Sequence, residues 1–172
     1  MQTIVDFFNH PVFIVLGGIS TLVTLIAVLY GIYLFARGIF PVWYRLGVGL
    51  SKRKIAVFAE TEYEGLQKML VDSGLFQKSN VVKILKNNLK TAEKYTLFLV
   101  HWKSFESEIE KILGMKDDST ALIVYAPQSE GFIDKAVMEK INQERNSIVV
   151  NLRGRLLNDV VVSMITTGYK TK

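Results

Sequence analysis

The 172-residue chain has a formal net charge of +5, no cysteine and only two histidines, His10 and His101. Disulfides, cysteine-held metal centres and a cysteine nucleophile are thereby excluded, and a histidine-rich metal site lacks its ligands. The length suits one soluble core rather than two.

Between Phe7 and Phe35 the only side chain able to carry charge is His10, and from Pro11 to Phe35 there is none. At about 1.5 Å per helical residue, such a run crosses a hydrocarbon core of roughly 30 Å with some tilt. A secretory signal would begin with basic residues and have a shorter apolar run. Here the start carries Asp6 and neither Lys nor Arg. Residues 1–37 are therefore read as an N-terminal segment and one transmembrane helix. Basic residues follow it: Arg37, Arg45, Lys52, Arg53 and Lys54. Since the basic flank of a membrane helix stays in the cytoplasm, the N-terminus is expected outside and the remainder inside.

Along the helix, Gly17, Thr21, Thr24, Val28 and Gly31 fall at steps of four, three, four and three, on one face, with Ser20 and Ala27 beside them. Small and hydroxyl-bearing residues on one face let helices approach closely. Gly17, Thr21, Thr24 and Gly31 are the expected association or pore-lining residues of a homo-oligomer. One helix cannot enclose a pore, whereas four or more can. Pro41 is expected to break or kink the helix near Ile39. Trp43, Tyr44 and Arg45 suit a membrane-interface anchor. Residues 38–53 are read as a juxtamembrane connector, with Val42 to Leu50 amphipathic along the surface and Lys52, Arg53 and Lys54 serving topology and lipid headgroups.

Residues 54–172 alternate short apolar runs with helix-period stretches. Strands are expected over 54–59, 81–85, 95–100, 121–126 and 147–152, and helices over 61–73, 104–113, 132–144 and 154–166, with a short helix around Leu85, Leu89 and Ala92. Thr61 and Glu64 have the spacing of a capping box, and Gly74 that of a helix C-cap. Lys83, Lys86, Lys90 and Lys94 leave open a helix in place of the second strand. Continuous apolar strands separated by helices describe an α/β, doubly wound, five-stranded parallel sheet of flavodoxin or receiver type, with strand order 2-1-3-4-5.

This fold hosts several chemistries, so each is tested at its site. A phosphoacceptor receiver needs acids after the first strand and an aspartate ending the third. Here Ala59 and Glu60 follow the first, and Val100 and His101 end the third. The loop Glu60-Thr61-Glu62-Tyr63-Glu64-Gly65 is acidic where a flavodoxin needs a phosphate-binding loop. Walker and dinucleotide-binding glycine motifs are absent. Glu106 and Glu108 are the candidate catalysts of a TIR-like, NAD-cleaving enzyme, against which stands their simpler role as acids at a helix N-terminus. His101 ends a strand, where it binds ligand, moves a proton or holds structure. The leading reading is not enzymatic and needs no cofactor. The expected ligand-binding residues are Trp102, Lys103, Arg153, Gly154 and Arg155, at the carboxyl ends of the strands where open α/β sheets bind ligands. Stacking and cationic groups there suit a nucleotide or a short single strand, while a basic loop facing anionic lipid has the same composition.

The membrane run PVFIVLGGISTLVTLIAVLYGIYLF, the junction PVWYRLGVGLSKRK and the loop NLRGR together give an architecture that resembles the small membrane effectors of bacterial anti-phage defence systems, nearest to them the effector of the Hailong system. The resemblance implies an inner-membrane homo-oligomer such as a tetramer, and a partner nucleotidyltransferase whose nucleotide or single-stranded DNA oligomer is the ligand. It also implies a gated pore that depolarises the membrane. An adaptor held by a mere anchor is the other reading.

Overall fold

The computed structural model describes residues 10–167, and the side chains of all of these except 13, 45 and 48–51. The start of the apolar run at Phe7 and the acidic Asp6 lie outside the described residues, as do the side chains of Arg45 in the expected anchor and of Leu50 at the end of the amphipathic connector. The chain divides into two compact units, one ending at Trp43 and the other beginning at Tyr44.

In the first unit, helix α1 spans Pro11–Arg37. Pro11 takes the first helical position, where a missing N–H is harmless and a fixed φ helps. The His10 imidazole accepts from the Val12 N–H at 3.4 Å. The helix is about 40 Å long, its described side chains are apolar or hydroxylic up to Tyr33, and all of them are exposed. Among the described residues it is the one helix long and apolar enough to cross a membrane. Arg37 stands in its last turn, with its guanidinium 5.6 Å from the centre of the Tyr33 ring. The helix breaks at Gly38, and α2 (Ile39–Lys52) follows. Pro41 is accommodated in the first turn of α2, where a missing donor is harmless.

In the second unit, the strands are β1 (Ile55–Phe58), β2 (Val81–Lys83), β3 (Leu97–His101), β4 (Ala121–Tyr125) and β5 (Ser147–Val150). All pairings are parallel and the order is 2-1-3-4-5. Ala56 pairs with Phe98, Leu97 with Ala121, and Leu122 with Ser147. Alternation along each strand divides the core. Val57, Leu99 and Ile123 face α3 (Tyr63–Asp72) and α7 (Arg153–Thr166), meeting Leu66, Leu70, Leu156 and Val160. Phe58, Phe98 and Val124 face α4 (Trp102–Phe105), α5 (Ile109–Met115) and α6 (Lys135–Gln143), meeting Phe105, Ile112 and Ile141. The Phe58 ring makes edge contacts with Phe98 at 5.3 Å and Phe105 at 5.7 Å. Two-sided burial explains why β1, β3 and β4 read as apolar runs.

Local details depart from expectation. The Thr61–Glu64 capping box does not form: Glu62 is the N-cap of α3 and makes no side-chain cap bond. Gly74 does take a left-handed φ of 72° just beyond α3, a conformation that suits glycine after a helix end. The lysine-rich stretch forms 3₁₀ turns over Lys86–Lys94, broken at Asn88, and leaves β2 intact.

The larger correction concerns Arg53. It is 1% exposed, so it serves no lipid headgroup. It lies at the amino-terminal edge of the sheet, between α2 and β1. Its Nε donates to Thr96 Oγ1 at 2.8 Å and its Nη2 to the Thr96 carbonyl at 2.5 Å. Nη2 also reaches Thr167 Oγ1 at 2.7 Å, and Nη1 reaches the carbonyls of Met164 and Thr167, each at 3.3 Å. Its own carbonyl accepts from Asn80 Nδ2 at 3.0 Å. The rigid fork of donors suits several carbonyls at once. Burial lowers the guanidinium pKa to about 10, so the group stays charged at neutral pH. Lys52 and Lys54 on either side are exposed.

Candidate functional site

Because α3 and α7 pack on the same face of the sheet, their N-termini meet at its carboxyl edge. Arg153, the first residue of α7, places Nη1 3.2 Å from Glu62 Oε2, across a separation of 91 residues. Gly65 makes room for this pair: a Cβ there would lie 2.8 Å from Arg153 Nη2. Beneath the pair is Tyr125, at the end of β4 and 5% exposed. Burial raises the pKa of its hydroxyl, opposed by the charge of Arg153 and reinforced by Glu62 and Glu130.

His101, at the end of β3, is buried beside Tyr125, with ring centres 5.9 Å apart. Its Nδ1 is 2.7 Å from Ser104 Oγ, and its Nε2 is 2.9 Å from Glu130 Oε2. With the proton on Nε2, Nδ1 accepts from the serine hydroxyl, while the Nε2–Oε2 approach is close but lacks hydrogen-bond geometry. Glu130 comes from the loop after β4, so the contact pins that loop over the sheet. Serine, histidine and carboxylate adjoin here, but the imidazole lies sealed beneath the loop, which suits holding structure better than moving protons.

The residues expected to bind ligand are not gathered at one surface. Trp102 is 3% exposed and packs with Phe105 and Ile109 in the core, so it presents no open stacking face. Lys103 points to solvent, 4.0 Å from Glu106. Glu108 accepts from Ser107 at 2.8 Å. Arg153 is already engaged by Glu62, whereas Gly154 and Arg155 are exposed and the Arg155 side chain has no ion pair among the described residues. Sequence reading missed Glu62 as the partner of Arg153, and Tyr125 and Glu130 as parts of the same edge. The acidity of the loop after β1 was the available signal. That acidity counts against a phosphate-binding loop, and in the structure the Glu62 carboxylate stands against the arginine.

On α1, Gly17 and Gly31 present open backbone, since an added Cβ at either meets nothing within 4 Å. Thr21 donates to the Gly17 carbonyl and Thr24 to that of Ser20, each at 2.8 Å, so both hydroxyls are satisfied within the helix while keeping free acceptor capacity. Trp43 and Tyr44 are 67% and 62% exposed, and the Trp43 ring lies 6.5 Å from Phe40.

The comparisons with known proteins add no family: no family model, curated protein or solved structure matches the chain.

Proposed function

We propose that the protein is a single-pass membrane effector with its N-terminus outside and its α/β domain in the cytoplasm. The domain takes a nucleotide-type ligand, a mononucleotide or a short single-stranded DNA, at the carboxyl edge of its sheet. Occupancy acts on a pore assembled from copies of α1, with membrane depolarisation as the output.

The observation that carries this reading is that α7 is fastened at both ends to different things. At its N-terminus Arg153 holds Glu62 across the ligand-binding edge. At its C-terminus, about 21 Å away for 14 helical residues, the Met164 carbonyl and Thr167 just beyond it hold Arg53, the residue that directly follows α2. A ligand anion that displaces Glu62 therefore changes the constraint on a rigid element tied to the membrane-side connector. Support for the pore comes from the open glycines and from the acceptor capacity of Thr21 and Thr24 on one face of α1, which favour close helix packing.

The test is direct. Purified in mild detergent, the protein should sediment as an oligomer, and in planar bilayers it should conduct, with a conductance that changes when nucleotides or short single-stranded DNAs are added. Gly17→Leu combined with Gly31→Leu should abolish both properties. A chain that stays monomeric and electrically silent overturns the reading.

A further inference from the structure

A cavity of about 260 Å³ opens at the same edge of the sheet but on its opposite face, between the loop after β4, the start of α6 and the end of β5. Its apolar lining comes from Ile133, Met138 and Val149, and its two carboxamides from Gln128 and Asn151. Neither carboxamide makes a hydrogen bond among the described residues, and both residues are exposed. Phe132 also lines the cavity and is 90% exposed, the most exposed large apolar side chain among those described. The chain reaches it through Gly131, whose φ of 101° side chains rarely tolerate. Contact between Glu130 and His101 holds the preceding residue down. The loop is thus built to present an aromatic ring at the mouth of a cavity rather than to bury it.

Apolar walls, a free aromatic face and two carboxamides that can both donate and accept at one edge match a flat, nitrogen-rich heterocycle. An aliphatic ligand would make no use of the carboxamides, and a charged one would meet no counter-charge in the lining. The volume holds one such ring system. Asn151 lines the cavity, and two residues later Arg153 begins α7.

We infer that this cavity is the base-recognition subsite, with Phe132 as its stacking face and Gln128 and Asn151 reading the base edge. The inference rests on the nucleotide reading given above and deepens it, assigning to Phe132 the stacking role that the buried Trp102 does not fill.

Equilibrium binding of the four ribonucleoside monophosphates and of short homopolymeric single-stranded DNAs, measured on the full chain in nanodiscs, tests it. At least one probe should bind, and Phe132→Ala should weaken that binding about tenfold or more. Because Phe132 is exposed, the variant should keep the wild-type melting temperature. Met138→Trp, which fills the cavity from α6, should abolish binding of the same probe. If a probe binds and neither substitution weakens it, the subsite lies elsewhere and this inference falls while the nucleotide reading stands. If no probe binds the wild-type chain, both fall together.

Discussion

The two ends of α7 hold one arginine each, and they hold them in opposite ways. Arg53, at the amino-terminal edge of the sheet, is 1% exposed and bound by three carbonyls and two hydroxyls, with no carboxylate partner. Arg153, at the carboxyl edge, keeps 47% of its side chain exposed and leans on a single carboxylate that is itself 35% exposed. The first arrangement cannot be exchanged for water without opening the core. The second is open to water and screened by it. The domain is therefore fixed at the edge that follows α2 and looser at the carboxyl edge, the distribution that the proposed sensor needs if occupancy is to be felt as a change in one element.

The largest effect should come from the fixed end. Arg53→Ala removes a buried side chain and the donors to the carbonyls of Met164 and Thr167, while the Thr96 carbonyl keeps the Ala121 N–H, so it should destabilise the domain by about 4 kcal/mol. Arg53→Lys keeps the charge but not the fork and should lose about half of that. Urea melts of the wild type and both variants check the order, and insensitivity to salt would mark the contacts as buried. If Arg53→Ala melts like the wild type, the fastening of α7 to the connector is wrong.

Much of this was legible in the sequence, and the failures share a cause. Apolar runs located all five strands: in β1, β3 and β4 burial on both faces keeps the run unbroken, whereas the edge strands β2 and β5 are only partly buried and carry Lys83 and Ser147. Phe105, Ile109 and Ile112 were readable as an inward helix face, and each is at most 2% exposed. Arg53 was misread because Lys52-Arg53-Lys54 looks like one basic run, while only its centre turns inward at the entry to β1. Trp102 was misread because aromatic and basic neighbours suggested a surface, although it continues the inward side of β3 set by Phe98 and Val100. Glu62 could not be matched to Arg153, since their meeting depends on α3 and α7 sharing a face. Caps and pairings set by tertiary contact leave little local trace.

At the loose end the stability effects should be small and the binding effects opposite in sign. Glu62→Gln and Arg153→Gln should each change stability by less than about 1 kcal/mol, because half-exposed ion pairs are worth little. If Glu62 occupies the place of a ligand anion, Glu62→Gln should tighten binding of a nucleotide monophosphate several-fold, and Arg153→Gln should weaken it. Gly65→Ala, which crowds the guanidinium, should fall between the two. Equal weakening by all three would show the pair to be structural and would erase the contrast between the ends of α7.

The smallest effect separates the two ends by pH. Tyr125 sits under the Arg153–Glu62 pair, and its hydroxyl pKa is raised chiefly by burial. A raised folded-state pKa contributes stability that is complete below the unfolded value of about 10 and is lost as pH climbs through the folded value. Arg53 works in the other sense. Its lowered pKa means that the penalty of burying its charge is complete at neutral pH and is relieved only as pH rises above about 10. Near pH 10 the two contributions oppose each other. Tyr125→Phe removes the first and leaves the second, so the variant should lose less stability than the wild type as pH rises above about 10 while matching it at pH 7 to within about 1 kcal/mol. Tyr63, also raised by burial, remains in both proteins and cancels in the difference. Identical alkaline melts of the two proteins would mean that Tyr125 is open to water, and that the crest is looser than the contacts of His101 and Arg153 imply.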